Sequence, residues 1–293
     1  MSKYAFCYFT GNEPKEERIH FAVSEDGLNF KPLNGNREII TPTLGKKCVR
    51  DPFAVPERNG NYYIIGTDMK SSEGWVSNHA LITWRSKDFI NWTDETVIDI
   101  RDFGGEFQNT TRAWAPEVLW DEKEQKYFVY WSNSTKENDF TAIYYAYTED
   151  FKSLTYPKKL FERPGVQTID ADIILSPLDN LYYMYFKFEE SQKIAYVTSK
   201  NLAGPYTNTP VIVSLASTGV EGSNIYRLDG TDRYIMIMDE YGEHRYFAQE
   251  TKNFRDFTAL PRESYTMDFS PRHGNVITVS DECFDALIEK FGI

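Results

Sequence analysis

The 293 residues carry a formal net charge of −12, with 41% hydrophobic, 26% charged and 16% aromatic side chains. An acidic chain with no Lys/Arg cluster excludes a nucleic-acid backbone as partner, and the same charge opposes docking on an anionic membrane. No apolar run reaches the length of a membrane span, and Cys7, Cys48 and Cys283 fit neither a disulfide framework nor a zinc pattern.

The N-terminus, MSKYAFCYFTGNEP, lacks the long apolar core and small-residue cleavage site of a leader, so the sequence as given predicts a cytoplasmic protein. The abundance of Tyr and Phe favours half-buried pleated surfaces over a helical bundle. In chain order the first unit is YAFCYFT (from Tyr4) followed by HFAVSEDGLNF (from His20). The second is DPFAV (Asp51), NYYIIGT (Asn61) and LITWRSKDFINW (Leu81). The third is WAPEVLW (Trp114), KYFVYWS (Lys126) and IYYAYTEDFKSL (Ile143). The fourth is DADIIL (Asp170), LYYMYFK (Leu181) and KIAYVTSKNLAGPY (Lys193). The fifth is EGSNIYRL (Glu221), RYIMIMD (Arg233) and RYFAQETKNFRDF (Arg245). HGNVITV (His273) and the tail SDECFDALIEKFGI close the chain.

Successive units lie roughly 50–60 residues apart, the spacing of four-stranded propeller blades. Each aromatic run is short and nearly continuous, as a strand buried on both faces must be. Arg58-Asn59-Gly60-Asn61 and Leu228-Asp229-Gly230 read as hairpin connections. The first unit lacks the short strand that opens the other four, and HGNVITV supplies it from the far end. The sequence therefore predicts an all-β, single-domain, five-bladed β-propeller spanning residues 1–293, with ring closure between the N- and C-terminal strands. The tail is the one predicted helix, with Ser280 as N-cap, covering the closing blade.

In such a ring the innermost strands start around one mouth of the channel. Their predicted starts are Asp51, Trp114, Asp170, Glu221 and His273, which gathers three carboxylates, an indole and an imidazole at one place. Carboxylates are seldom buried without a partner. Glycosidic hydrolysis uses two carboxyl groups, one protonated as acid and one ionised, and a third nearby carboxylate helps to keep the acid protonated. The bland readings stand beside this one. An Asp before Pro is ordinarily a turn residue, Trp114 reads equally as core or as a sugar-lining residue, and Glu117 reads as a pocket residue or, by preference, a satisfied strand carboxylate. Asp239 and Glu240 read as pocket rim or solvated loop, and Trp75 as rim aromatic or plain packing.

The ordered set Arg50-Asp51-Pro52-Phe53, Tyr62-Tyr63-Ile64-Ile65-Gly66-Thr67, Trp114-Ala115-Pro116-Glu117-Val118, Ile169-Asp170, Glu221-Gly222 and Arg272-His273-Gly274 resembles glycoside hydrolase family 43 along the whole chain. That family holds arabinofuranosidases, xylosidases, arabinanases and galactanases. The resemblance implies an inverting mechanism with Asp51 as general base, Glu221 as general acid and Asp170 tuning and orienting Glu221. It implies that Trp114, Arg272 and His273 meet the substrate, an oligosaccharide or polysaccharide. No cofactor or catalytic metal is required, although some members hold calcium or water at the axis, where His273 would lie. Two departures stand out: Glu221-Gly222-Ser223 and Ile169-Asp170-Ala171-Asp172 lack the proline that many members carry. Strand alternation leaves Asp172 as a rival to Asp170. Two other readings share the scaffold logic: a fructan hydrolase or glycoside phosphorylase, and a non-catalytic glycan-binding propeller.

Overall fold

The computed structural model describes residues 2–135 and 140–293. They form five four-stranded antiparallel sheets set around a ring. Blade 1 contains β1 (Lys3–Phe9), β2 (His20–Ser24) and β3 (Lys31–Pro32). Blade 2 is β4 (Val49–Pro56), β5 (Tyr62–Asp68), β6 (Ala80–Ser86) and β7 (Trp92–Asp99). Blade 3 is β8 (Arg112–Asp121), β9 (Lys126–Ser134), β10 (Ala142–Thr148) and β11 (Lys158–Phe161). Blade 4 is β12 (Thr168–Leu175), β13 (Tyr182–Phe188), β14 (Lys193–Ser199) and β15 (Val211–Ile212). Blade 5 is β16 (Glu221–Arg227), β17 (Tyr234–Glu240), β18 (Arg245–Thr251) and β19 (Phe257–Ala259). The last strand, β20 (Arg272–Val279), returns to pair with β1, so the two ends of the chain share blade 1 as the repeat pattern predicts.

The aromatic strands β1, β5, β9, β13 and β17 lie second from the axis, and nearly all of their residues beyond the first are buried. Blades splay apart as they leave the axis, and large rings fill the wedge. Hence the core is divided into clusters that each lie between neighbouring blades. The repeated Ser/Thr-plus-acid turn acts at those seams. Asp26, Asp88 and Asp150 each accept two backbone N–H bonds from residues two and three ahead, which fixes the turn from third to fourth strand. Phe89, Phe151 and Phe254 follow in left-handed conformation and are buried against the preceding blade. Phe151 stacks on Tyr63 at 4.0 Å between ring centroids, and Thr83 Oγ1 donates to the Phe151 carbonyl at 2.8 Å. Burial against a neighbour offsets the backbone strain of a bulky residue at positive φ.

The tail forms α1 (Asp281–Phe291), with the Ser280 side chain accepting from the Cys283 amide. Phe284 and Leu287 pack into the seam of blades 1 and 2. Among the described residues no helix is long and apolar enough to cross a membrane.

The inner strands begin one or two residues earlier than the sequence predicts at β4, β8, β12 and β20. The difference matters because a bulge sits at the same place in each. In β4, β8, β12 and β16, pairing with the second strand slips by one residue after Arg50, Trp114, Ile169 and Glu221. The bulged residues Asp51, Ala115, Asp170 and Gly222 have φ of 48, 48, 56 and 54°. β20 shows the same one-residue slip between Arg272 and Asn275, placing His273 in the equivalent position. A bulge re-aims a side chain, which is how a strand otherwise committed to the core delivers Asp51 and Asp170 to the axis.

Candidate active site

Asp51, Asp170, Glu221 and His273 come together in one cleft of about 80 Å³, lined also by Arg50, Met69, Trp75, Trp114 and Ile169. They reach it from four blades. A larger cleft of about 210 Å³ between α1 and blade 1 carries Glu25 and Asp26 but no comparable convergence, since Asp26 is committed to its turn.

His273 stands at the centre. Its Nδ1 lies 3.5 Å from Asp51 Oδ1 and 4.0 Å from Asp170 Oδ2. Burial alone would lower its pKa, but Asp51, Asp170 and Glu221 outweigh that and hold it up at about 9. The imidazole is therefore a cation at neutral pH. Asp51 also accepts from Thr67 Oγ1 at 2.8 Å. Burial would raise the Asp51 pKa, yet the bond from His273, its charge, Arg50 and Thr67 bring it below the usual range. Asp170 is pushed the other way, chiefly by burial and then by the Glu221 and Asp51 charges, with His273 and Lys187 opposing. One carboxylate is thus held ionised and its neighbour is pushed towards the neutral form, so the two flank the imidazole in different charge states.

Glu221 is gripped on both oxygens. Arg272 Nη2 donates to Oε1 at 3.1 Å and Lys187 Nζ to Oε2 at 2.9 Å. Arg272 turns its Nε to Asp239 Oδ2 at 2.5 Å, and Lys187 is also 3.2 Å from Glu189 Oε1. Arg272, expected against substrate, is only 6% exposed and is bound to these two carboxylates. Asp239, predicted as rim or loop, is fully buried behind Glu221, whereas Glu240 points elsewhere, to Arg245 and Thr218. Trp114 lines the cleft and is half-buried.

The bulge also resolves the pair Asp170 and Asp172. The extra residue breaks the two-residue alternation, so the two do not share a face. Asp170 Oδ2 accepts the Gly222 amide at 3.2 Å at the cleft, while Asp172 Oδ2 accepts the Ile225 amide at 2.6 Å. Asp172 is instead the partner of Glu117. Burial and the Asp172 charge hold the Glu117 pKa well up, and burial likewise lifts Asp172 to about 7. Tyr130 Oη donates to Glu117 and accepts the Ile173 amide, Asn224 accepts the Val276 amide, and Asn275 accepts the Ala54 amide. With the Asp172–Ile225 bond, these stitch β8 to β12, β12 to β16, β16 to β20 and β20 to β4 beneath the cleft. Glu117 is thus the satisfied strand carboxylate that the sequence suggested.

Lys187 and Thr67 carry no role in the sequence reading. Lys187 had a signal: it is the one charged residue within the aromatic run YYMYFKF and pairs in register with Ile169. Among the described residues no group of three or more His, Cys, Asp or Glu side chains is arranged to hold a metal ion.

The charged His273 couples stability to pH. Its folded pKa of about 9 exceeds the unfolded value, so its contribution is complete below about pH 6.5 and is lost as pH rises through 9. Urea titrations should show stability falling on the order of 3 kcal/mol over that interval. His273→Gln should flatten this decline; an unchanged slope would show that His273 is neutral in the fold.

Comparison with known proteins agrees with the geometry. A family model described as a probable glycosyl hydrolase domain, related to glycoside hydrolase family 43, matches residues 1–285. An alpha-L-arabinofuranosidase of Bifidobacterium longum is 29% identical over 214 residues, 64% of this chain. This chain spans only 20% of that protein's length. Among solved structures, a candidate exo-beta-1,3-galactanase of Bifidobacterium bifidum superposes with a TM-score of 0.64 at 13% identity, covering 91% of this chain and 90% of its own. The native arabinanase of Bacillus subtilis gives a TM-score of 0.54 at 17% identity, covering 78% and 79%. At such identities the structural likeness speaks for the fold.

Proposed function

Since the chain belongs to the family of probable glycosyl hydrolase domains related to glycoside hydrolase family 43, we propose that it is an inverting glycosidase that releases a terminal arabinofuranosyl, xylosyl or galactosyl unit from an oligosaccharide or polysaccharide. The observation that carries this reading is the convergence of Asp51, Asp170 and Glu221 around His273, with Asp51 held ionised as a general base must be.

In this reading Asp51 takes a proton from water as the water oxygen attacks the anomeric carbon. The bond to the leaving oxygen breaks, and that oxygen receives its proton from Glu221. Asp51 ends protonated and Glu221 ionised, and solvent restores both. Lys187 Nζ lies between Glu221 Oε2 at 2.9 Å and Glu189 Oε1 at 3.2 Å, so its charge is shared by the two carboxyl groups. Once Glu221 is ionised, Lys187 and Arg272 stabilise the new charge. Asp170, tied to the amide of Gly222 next to the acid, orients it. Trp114 supplies an apolar wall for the sugar.

No step is routed through calcium. A calcium ion takes six to eight oxygens. The oxygens nearest His273 already serve Thr67, the Gly222 amide and the imidazole cation itself. The residues fit a protonated imidazole at the axis better than a divalent ion.

The test is hydrolysis of nitrophenyl α-L-arabinofuranoside, β-D-xyloside and both galactosides, followed by proton NMR of the first-formed anomer. Turnover of one member with inverted configuration is expected. A retained anomer would discard Asp51 as base, since inverting carboxyl pairs sit roughly 6.5–9.5 Å apart and retaining pairs nearer about 5 Å. Turnover that needs inorganic phosphate would identify a phosphorylase instead.

A further inference from the structure

We propose that Trp75 is the stacking platform for the sugar on the leaving-group side of the scissile bond, and that it sets the preference for a glycosyl over a small leaving group. The proposal rests on the glycosidase reading above and extends it to a residue outside the carboxylate set.

Trp75 lies in the β5–β6 loop and is 52% exposed although it lines the cleft beside Asp51 and Glu221. A large ring left half in water is unremarkable on a loose loop, but this loop is pinned. Asn78 donates to the Asp68 and Ala80 carbonyls, Lys46 pairs with Glu73, and Ser71 Oγ donates to the Asn12 carbonyl. The Ser71 amide reaches the fully buried Glu17, whose same oxygen takes the Arg50 guanidinium at 3.2 Å.

Arg50 is the backing of the indole. Its guanidinium lies 5.2 Å from the Trp75 ring centroid and 4.5 Å from that of Phe9. Phe9 in turn carries Arg272 at 5.5 Å, and Arg272 donates to Glu221. Trp75, Arg50, Phe9 and Arg272 therefore form an alternating row of rings and cations. One end is the half-exposed indole and the other is the carboxyl assigned as acid. Such contacts hold an aromatic face in one orientation.

Depth gives the subsite. The sugar being released sits at the axis, among Asp51, Asp170 and His273, which are nearly covered, whereas Trp75 is the exposed aromatic at the mouth of the same cleft. The next sugar has to lie towards that mouth, where the indole face is free to take it. A pre-oriented aromatic face loses little entropy when an apolar sugar face covers it. A methyl leaving group is too short to reach it.

The experiment compares wild type, Trp75→Ala and Trp75→Phe on α-1,5-arabinotriose, β-1,4-xylotriose and β-1,3-galactotriose and on the corresponding methyl glycosides. For the sugar that is cleaved, the ratio of kcat/KM on trisaccharide to that on methyl glycoside should fall about tenfold in Trp75→Ala, mainly through KM, and recover partly in Trp75→Phe. An unchanged ratio, or equal losses on both substrates, would overturn the proposal. Calorimetry in the Asp51→Asn background separates this from the parent reading. If wild type cleaves none of the sugars, the assigned activity falls. Trp75 remains the platform only if a trisaccharide binds Asp51→Asn and its Kd weakens about tenfold on adding Trp75→Ala. Absence of binding, or binding indifferent to Trp75, rejects it.

Discussion

Asp51→Asn and Glu221→Gln are each expected to lower kcat/KM by roughly 10²–10⁴-fold on the cleaved glycoside, the scale of a lost general base or acid. Both substitutions keep the side-chain shape. The amide that replaces the Asp51 carboxylate can still accept from Thr67. The amide that replaces the Glu221 carboxylate can still accept one bond from Arg272 or Lys187, but it lacks the charge that neutralises them. Both variants should lose some stability, Asp51→Asn because the buried His273 cation loses its nearest carboxylate and Glu221→Gln because two buried cations share one neutral partner. The double variant should fall little further than the worse single one, because the two groups act in one transition state. Leaving-group dependence separates the roles. A substrate with a nitrophenolate leaving group needs little protonation, so Glu221→Gln should suffer less on it than on an alkyl glycoside, while Asp51→Asn suffers equally on both. Equal sensitivity of both variants to the leaving group would sink the assignment of acid and base. Wild-type rates in both variants would sink the site.

Much of the fold was legible because a propeller repeats its chemistry. The Ser/Thr-plus-acid turn recurs since each third-to-fourth strand turn has the same unpaired amides to satisfy, and the aromatic strands recur since each seam is the same wedge. Ring closure was legible from one missing strand at the start and one surplus strand at the end. The site was legible as a set of carboxylates at inner-strand starts, but not its phase. Whether Asp170 or Asp172 faces the cleft depends on a bulge in which Asp170 takes φ of 56°. No residue type announces that conformation, because Asp51 and Ala115 adopt it as well as Gly222. Nor could pairing partners be read from the pattern. The resemblance placed Arg272 against the substrate as part of Arg272-His273-Gly274. The structure bonds it to Asp239, which lies on β17 of the adjoining blade 5 and comes within reach only when the ring closes.

Gly274→Ala is expected to destabilise the protein by about 3 kcal/mol or more, at the upper end of what single substitutions do. A methyl at Gly274 would lie 1.9 Å from the Cys7 carbonyl oxygen and 2.8 Å from the Tyr8 Cα. Both obstacles are backbone, so no rotamer change relieves them, and β20 and β1 must move apart. That pair is the joint that closes the ring, and its register carries the one-residue slip that presents His273. Parting it weakens the bond from the His273 amide to the Asp239 carboxylate and that from the Ala54 amide to Asn275. It also uncovers strand edges that closure otherwise hides. The urea midpoint should drop, and activity measured well below that midpoint should fall too, because the imidazole is displaced from Asp51. A drop in activity with the midpoint unchanged would mean that the clash is absorbed locally and that closure does not hold the ring. An unfolding free energy within about 0.5 kcal/mol of wild type with activity intact would mean that the close approach of Gly274 to β1 is not present in solution. Ring closure and the positioning of the central cation are one structural event here, so the glycine next to His273 is expected to report on both.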